Sequence, residues 1–352
     1  MMPSLAQLEN REKQDKPPFI IPVFIPHGGC PHRCVFCDQS AITGTPLHRP
    51  DPAKTRRDID TFLHYRRDPG RFTEIAFFGG NFLGLGSTDQ QNYLRLAGEY
   101  QTRGMIHGIR FSTRPDTITK QSLDFIESFP VTTVELGAQS MDDTILARAG
   151  RGHRAADTRR AVAHIQQRGY RVGLQMMAGL PGDTRGSVLE SGRRLAALLP
   201  AFVRIYPTVV LKGSPLAAWY RDGRYRPLDL DTAVDWVKAL YTLFARRSIR
   251  VIRMGLPASR ELDREDTLLA GPYHPAFGHL VQAALFYDRA VRLLDACPET
   301  KNRANFRLHP RSASQFRGLA NSNLAKLKEN YGITDIRITP DECLSRDALL
   351  LE

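Results

Sequence analysis

The stretch FIIPVFIPHGGCPHRCVFC, residues 19–37, joins an apolar run to three closely spaced cysteines. Residues 19–25 are rich in β-branched and aromatic side chains, which is typical of a buried strand. Cys30, Cys34 and Cys37 follow with C-x3-C-x2-C spacing, so they lie in a loop after this strand. Three cysteines so close together do not form an even disulfide framework, and they indicate a metal or cluster site.

The alternation of strands and helices continues after this loop. Further buried strands are predicted at residues 75–78, 109–111, 133–136, 172–176 and 202–206, and residues 251–254 are a candidate seventh strand. Helical spacing occupies residues 88–102, 142–168, 186–199 and 229–247. Repeated βαβ units of this kind form a parallel sheet. The sequence therefore predicts an α/β fold, a partial (β/α)6 TIM-like barrel with its chemistry at the carboxyl ends of the strands.

The same pattern suggests three parts of the chain. Residues 1–18 form a polar N-terminal segment, residues 19–255 a barrel core, and residues 256–352 a small C-terminal α/β extension or cap. In this extension, residues 270–295 and 322–331 are expected to be helical and residues 335–339 to form a strand. Cys297 and Cys343 are expected to be buried like small apolar side chains.

Composition limits the class of protein. The 352 residues are 42% hydrophobic and 24% charged, as in a soluble globular protein. No apolar run reaches the roughly 18 to 20 residues of a membrane span, and residues 1–16 lack a secretory apolar run. We therefore expect a cytoplasmic protein without a membrane partner. The 49 Lys and Arg against 37 Asp and Glu, a net charge of +12, favour either a polyanionic partner such as nucleic acid or simply solvated arginine-rich helix faces.

The cysteine spacing favours one kind of metal site. Three thiolates on one short loop can bind three irons of a [4Fe–4S] cluster and leave the fourth iron without a protein ligand. The alternative is a Cys3His zinc site with His32 as the fourth ligand. His32 lies inside the first cysteine interval, an awkward place from which to complete a tetrahedron, so the spacing favours the cluster.

Further motifs follow the predicted strands. They are Gly79-Gly80-Asn81-Phe82, Ser112-Thr113-Arg114-Pro115-Asp116, Glu135-Leu136-Gly137-Ala138-Gln139-Ser140, Arg151-Gly152-His153 and Gly179-Leu180-Pro181-Gly182-Asp183-Thr184. With the cysteine loop, and Phe36 before its last cysteine, they resemble the radical S-adenosylmethionine (radical SAM) superfamily. The similar branch contains the Elongator catalytic subunit and the oxygen-independent coproporphyrinogen oxidases, and residues 204–208 and Gly213 are Elongator-like. The resemblance covers residues 19–255. Residues 256–352 are too few for the acetyltransferase domain of Elongator-type enzymes, so that domain is not expected.

The resemblance implies cofactors and their ligands. Cys30, Cys34 and Cys37 would hold a [4Fe–4S] cluster whose open iron binds S-adenosylmethionine (SAM). Reductive cleavage of SAM would then yield a 5′-deoxyadenosyl radical that abstracts hydrogen from a substrate. The residues implied in cofactor binding are Phe36, Gly79, Gly80, Asn81, Ser112, Arg114, Gln139, Arg151 and Gln175.

The sequence constrains the substrate and the partners less than it constrains the cofactors. Tyr206, Lys212 and His274 are candidate catalytic residues because they follow predicted strands or lie where a substrate could be met. The implied partners are an electron donor such as flavodoxin or ferredoxin and, from the Elongator likeness and the basic charge, tRNA. Two alternatives remain: a radical SAM enzyme for a small-molecule or porphyrin-type substrate, and a non-enzymatic metal- or cluster-containing nucleic-acid-binding protein.

Overall fold

The computed structural model describes residues 17–31, 33–39, 51–258, 262, 267–297 and 302–352. Their main feature is a seven-stranded sheet with the strand order β1-β2-β3-β4-β5-β6-β8. In chain order the strands are β1 (Phe19–Phe24), β2 (Thr73–Phe78), β3 (Gly108–Thr113), β4 (Val131–Gln139), β5 (Arg171–Ala178), β6 (Phe202–Pro207), β7 (Val210–Leu211), which pairs elsewhere, and β8 (Arg250–Met254).

The seven-stranded sheet is an open half-barrel. All its neighbouring strands are parallel, so their carboxyl ends meet at one rim. The edge strands β1 and β8 both contribute side chains, Ile20 and Ile252 among them, to one concave cavity, which shows how strongly the sheet curls. The prediction of a partial TIM-like barrel is confirmed, and the candidate strand at residues 251–254 is its seventh strand.

Helices connect successive strands. They are α1 (Pro52–His64), α2 (Ser87–Thr102), α3 (Lys120–Ile126), α4 (Asp143–Arg148), α5 (Ala155–Gln167), α6 (Arg185–Ala196), α7 (Pro215–Arg221) and α8 (Leu230–Ala245). Local sequence explains several helix starts: the Asp51 carboxylate caps α1, and Thr184 forms a capping box with Ser187 at the start of α6.

One helix prediction was wrong. The segment 142–168 is not a single helix but two, α4 and α5. Gly150 and Gly152 both have positive φ, 65° and 67°, which a right-handed helix does not allow. The break directs the intervening Arg151 into the barrel, where it lines the concave cavity.

The C-terminal part forms a second, smaller hydrophobic cluster. Strand β9 (Leu268–Ala270) precedes it and pairs with β7. The elements of the cluster are α9 (Phe277–Ala296), β10 (Arg303–Leu308), α10 (Ala313–Arg317), α11 (Ser322–Tyr331), β11 (Asp335–Pro340) and β12 (Leu349–Leu351). Strands β11, β10 and β12 form a three-stranded sheet. The prediction of a small C-terminal α/β extension is thus confirmed. Its boundary at residue 256 stays a prediction.

Helix α9 joins the two clusters. Phe277 and Val281 near its start pack in the barrel core, whereas Phe286 and Leu294 further along pack in the C-terminal cluster. The helix predicted at 270–295 therefore starts later than expected. Cys297 and Cys343 are both exposed, so the prediction that they are buried was wrong. Among the described residues, no helix combines the length and apolar character that a membrane crossing requires.

A buried ionic network lies on the concave face of the sheet. Arg110 on β3 donates from Nε to Glu74 Oε2 at 3.1 Å and from Nη1 to Glu135 Oε1 at 2.9 Å. Arg204 on β6 donates from Nη2 to the same Glu135 oxygen at 3.1 Å. Glu74 and Arg110 are at most 2% exposed. Removing one member of such a network leaves a buried charge without its partner, which is costly.

We expect Arg110→Met to lower the free energy of unfolding by about 3–5 kcal/mol because Glu74 and Glu135 lose their shared cation in a buried site. The control is Arg56→Met, which removes the solvent-exposed Arg56–Glu99 ion pair and should cost no more than about 1 kcal/mol. Chemical denaturation of both variants measures the difference. Equal, small losses would show that the lumen network contributes little to stability.

Candidate active site

A cavity of about 630 Å³ opens on the concave face of the half-barrel. Cys30, Cys34 and Cys37 from the loop after β1 line it at the carboxyl rim. Side chains and backbone from the ends of β2 to β6 complete the wall at that rim. Among them are Gly79, Gly80, Ser112, Arg114, Gln139, Gln175 and Tyr206, and Arg151 joins them from the loop between α4 and α5.

The cysteine loop packs directly on the end of β2. A Cβ atom on Gly80 would lie 2.5 Å from the Gly28 carbonyl oxygen and 2.6 Å from that of Ile25, so glycine is required there. Gly79 has φ of 89°, and its carbonyl accepts the His27 N–H at 3.1 Å. The glycine pair therefore lets two backbone segments approach each other, and it also lines the cavity.

Two further elements clamp the loop through Val35, the residue after Cys34. The Val35 N–H donates to the Ala149 carbonyl at 3.1 Å, and its own carbonyl accepts the Leu216 N–H at 2.7 Å. The predicted cofactor residue Phe36 lines the cavity and also packs with Val35 on the hydrophobic clusters around them. The loop is thus held by residues that follow α4 and begin α7.

The three thiols are free; Cys34 is buried, and Cys30 and Cys37 are half-buried. Burial and the neighbouring Cys34 and Cys30 raise the pKa of Cys37 to about 12, and burial followed by Cys34 raises the pKa of Cys30. Arg151 Nη1 donates to Cys34 Sγ at 3.1 Å. Three such thiols become thiolates together only next to a cationic centre, which the irons of a cluster would provide.

This donor set fits an iron–sulfur cluster. Cubane clusters take cysteine thiolates and are tuned by hydrogen bonds to sulfur, of the kind that Arg151 makes to Cys34. Within the described ranges, no three His, Cys, Asp or Glu side chains converge closely enough to hold a single metal ion. His32, the proposed fourth zinc ligand, lies outside the described residues.

Gln139, Arg151 and Gln175, three of the residues that the resemblance implies in cofactor binding, meet around Gly137. Arg151 Nη2 donates to the Gly137 carbonyl at 2.6 Å, and Gln175 Nε2 donates to Gln139 Oε1 at 3.3 Å. A Cβ atom on Gly137 would lie 2.7 Å from Gln139 Nε2. Gln139 itself has φ of 65°, a left-handed conformation that turns its amide across the strand end. The three polar side chains form one wall of the cavity.

Arg114 and Ser112 also line the cavity, but Asn81 does not. The Asn81 amide is 1% exposed; its oxygen accepts from Thr113 Oγ1 at 2.7 Å and from the Arg114 N–H at 3.0 Å, and its nitrogen donates to Gly29 O at 2.9 Å. The side chain of Asn81 therefore ties the cysteine loop to β3, and its contact with a cofactor stays a prediction. Arg114 pairs with Asp116 at 2.9 Å.

The three candidate catalytic residues lie in different parts of the structure. Tyr206 lines the cavity, where its hydroxyl lies 3.4 Å from Arg204 Nη1. Lys212 is exposed and is not part of the cavity wall. His274 Nδ1 accepts the Ala276 N–H at 3.0 Å and caps the turn before α9, also away from that wall. The structure brings only Tyr206 of the three to the site, because the other two follow strands and turns outside the sheet.

Sequence reasoning assigned no site role to the charged residues inside the barrel. Arg204 and Glu135 line the cavity, and so do Arg171 on β5 and Arg250 and Arg253 on β8. A charged residue within an otherwise buried strand is unusual unless it is paired or faces a cavity, so the charges at residues 135, 171 and 204 were the available signal. The residues of β8 are all exposed or half-buried, so that strand carried no such signal.

Comparison with known proteins identifies the architecture. Residues 24–195 match the family model of the Radical SAM superfamily, and residues 200–286 match that of the Radical SAM C-terminal domain. The chain is similar to tRNA uridine(34) acetyltransferase of Dehalococcoides mccartyi (strain CBDB1), with 29% identity over 259 residues. That alignment covers 64% of this chain and 56% of the relative, so the chain spans little more than half of that protein.

Two other similar proteins differ in coverage. Protein YhcC of Escherichia coli (strain K12) is 28% identical over 268 residues, covering 69% of this chain and 79% of that protein. The solved structure of the archaeal Methanocaldococcus infernus Elp3 with an N-terminal deletion superposes with a TM-score of 0.61 at 18% identity, covering 77% of this chain and 63% of that one. The structural likeness concerns the fold.

We expect Gly80→Ala to lower the free energy of unfolding by about 1–3 kcal/mol, because the new methyl group forces the cysteine loop away from the end of β2. Gly98→Ala in α2 is the matched control: its Cβ meets no atom within 4 Å, and the change should stabilise the helix by about 0.5–1 kcal/mol. Denaturation curves of the metal-free variants test both. An unchanged Gly80→Ala variant would contradict the close approach of the two backbones.

Proposed function

This chain belongs to the radical SAM superfamily of enzymes, and from that premise we propose that Cys30, Cys34 and Cys37 hold a [4Fe–4S] cluster that binds SAM. When bound, such a cluster would supply the electron for reductive cleavage of SAM, and the chemistry it would provide is abstraction of a hydrogen atom from the substrate through a 5′-deoxyadenosyl radical. The observation that carries the proposal is spatial: eight of the nine predicted cofactor residues, all but Asn81, line the same cavity as the three cysteines.

The chain's own residues supply binding and orientation. Arg151 donates to Cys34 and to the Gly137 carbonyl, and so holds the cysteine loop against the ends of the strands. The amides of Gln139 and Gln175 offer donors and acceptors suited to ribose hydroxyls. Gly79 and Gly80 line the cavity without side chains, so an ammonium group could approach the backbone there. The aromatic ring of Phe36 helps to exclude water beside the cysteines.

For the substrate we favour tRNA, modified in the cytoplasm. The relatives named as tRNA-modifying enzymes support this choice, as does the net charge of +12. The open side of the half-barrel also carries Arg250 and Arg253 on its edge strand, where a phosphate backbone could be contacted.

A small anionic molecule is the second candidate substrate. A cavity of about 630 Å³ has the size typical of a small-molecule site. Arg171 and Arg204 within it suit carboxylate groups, as a porphyrin-type substrate carries. Binding experiments separate this candidate from tRNA.

After anaerobic reconstitution with iron and sulfide, dithionite and SAM should yield 5′-deoxyadenosine with the wild-type protein, measured by chromatography. Cys34→Ala should abolish the product, because two thiolates do not hold the cluster. Cys343→Ala, which removes an exposed cysteine outside the site, should leave the rate unchanged. Intact SAM together with stoichiometric zinc would overturn the proposed function in favour of a zinc-stabilised binding protein.

If tRNA is the substrate, affinity for bulk tRNA in fluorescence anisotropy should fall on the order of tenfold or more between about 50 and 200 mM salt, because phosphate contacts release counterions. The same tRNA should raise the rate of 5′-deoxyadenosine formation. Stimulation by a carboxylated porphyrinogen without any effect of tRNA would instead favour the small-molecule candidate.

A further inference from the structure

A second concavity, of about 450 Å³, lies next to the cysteine loop but shares no lining residue with the active-site cavity. Its floor is the loop 179–183, and Tyr225 closes one side by donating to the Gly179 carbonyl at 2.6 Å. Arg148, Trp219, Arg224 and Arg226 surround its mouth, and we call these four residues the rear patch.

The rear patch is basic and accessible. Its three arginines are exposed, and Trp219 is half-buried. The Arg224 guanidinium lies 5.5 Å from the Trp219 ring centroid and pairs with Asp222 at 2.8 Å. Within the part of the chain that the structure describes, no carboxylate pairs with Arg148 or Arg226. The patch therefore carries an excess of positive charge around an aromatic surface.

The acidic residue on the floor, Asp183, offsets part of this charge. Asp183 is half-buried and accepts from the Leu180 N–H at 2.9 Å and from Ser187 Oγ at 3.2 Å. Burial raises its pKa to about 6. Arg148 lies over the same loop, because a Cβ atom on Gly182 would be 2.4 Å from its Nη1 atom.

Two backbone hydrogen bonds connect the elements of the rear patch to the cysteine loop. Arg148 precedes Ala149, whose carbonyl accepts the Val35 N–H, and Leu216 on the helix of Trp219 donates to the Val35 carbonyl. Val35 and Phe36 lie between Cys34 and Cys37 in sequence. Their side chains pack with Trp219 and Tyr225 on one side and with Leu180 on another. The patch is thus the outer surface of the packing that holds the cysteine loop.

We propose that the rear patch is the docking surface for an acidic one-electron carrier protein of the flavodoxin or ferredoxin class. One electron leaves the reduced carrier and enters the cluster, and no atom is exchanged in this step. The inference rests on the proposed function, because it assumes a cluster at Cys30, Cys34 and Cys37. Electron transfer weakens steeply with distance, so a carrier must approach the cysteine loop closely, and the cavity side is needed for SAM and the substrate.

The chemistry of the patch suits such a partner. Arginine and tryptophan are enriched at the centres of protein interfaces. Opposite charges on the two surfaces speed the encounter and make it sensitive to salt. Arginines interleaved with an aromatic ring also suit single-stranded RNA. The position of the patch behind the cysteine loop, away from the cavity where a modified base would react, favours the electron carrier.

The test compares two reductants. Flavodoxin with its NADPH-dependent reductase must dock, whereas dithionite is small and needs no docking surface. For a triple variant of Arg148→Gln, Arg224→Gln and Arg226→Gln, we expect the flavodoxin-driven rate of 5′-deoxyadenosine formation to fall about tenfold. The dithionite-driven rate should stay within about twofold of wild type, and raising the salt should slow only the flavodoxin-driven reaction.

A matched control removes the same charge elsewhere. Arg95, Arg246 and Arg247 are exposed and lie outside both cavities. Changing all three to Gln should leave both rates near those of wild type. Replacing Arg148, Arg224 and Arg226 by Glu should slow the flavodoxin-driven reaction further than the Gln variant does, because the surface then repels the acidic carrier.

Each of the other outcomes overturns the inference, and each points to a different cause. Equal losses with both reductants mean that the patch supports the folded site rather than docking. An unchanged flavodoxin-driven rate together with weaker tRNA binding assigns the patch to RNA. Absence of product from the wild type with dithionite refutes the proposed function itself, and the inference then falls with it.

Discussion

The site depends on the close approach of two backbone segments, the loop before Cys30 and the end of β2. Only a residue without a side chain fits at position 80, since a Cβ atom there would collide with the Gly28 and Ile25 carbonyls. The Asn81 amide then links Gly29 to the end of β3. Three successive strands thereby fix where the cysteine loop begins. The positions of the thiols follow from this contact, and a change in the contact would move all three thiols together.

Side chains of opposite charge line the middle of the barrel, where a small TIM barrel has layers of apolar side chains. Arg110 and Arg204 share Glu135, and each guanidinium also lies over an aromatic ring, Phe202 at 4.9 Å and Phe78 at 5.0 Å. A buried network of this kind adds little net stability compared with well-packed apolar residues. Its value here is that it keeps a half-open cavity polar and shaped without filling it. Arg204 and Tyr206 then carry this polarity up to the rim where the cysteines lie.

The cysteine loop has two sides with different chemistry. On the cavity side the three thiols, the strand-end glycines and the polar wall of Gln139, Arg151 and Gln175 suit cofactor binding. On the other side Val35 and Phe36 pack against apolar residues whose outer surface is basic. An enzyme that receives electrons from one partner while it binds another substrate benefits from such a separation, because the two need not compete for one opening.

The sequence by itself determined the seven strands of the parallel sheet, several of the connecting helices, the cysteine loop and most of the cavity wall. These features depend on local patterns: periodicity reports which face of a strand is buried, and the ends of parallel strands must meet at one rim. Tertiary structure alone decided that Asn81 serves the loop, that Lys212 and His274 lie away from the cavity, and that Arg148 meets Trp219, Arg224 and Arg226. It also decided the pairing of Glu74, Arg110, Glu135 and Arg204. Those outcomes depend on which distant segments touch, and on whether a glycine pair such as Gly150 and Gly152 breaks a helix. Periodicity along a single segment does not carry that information.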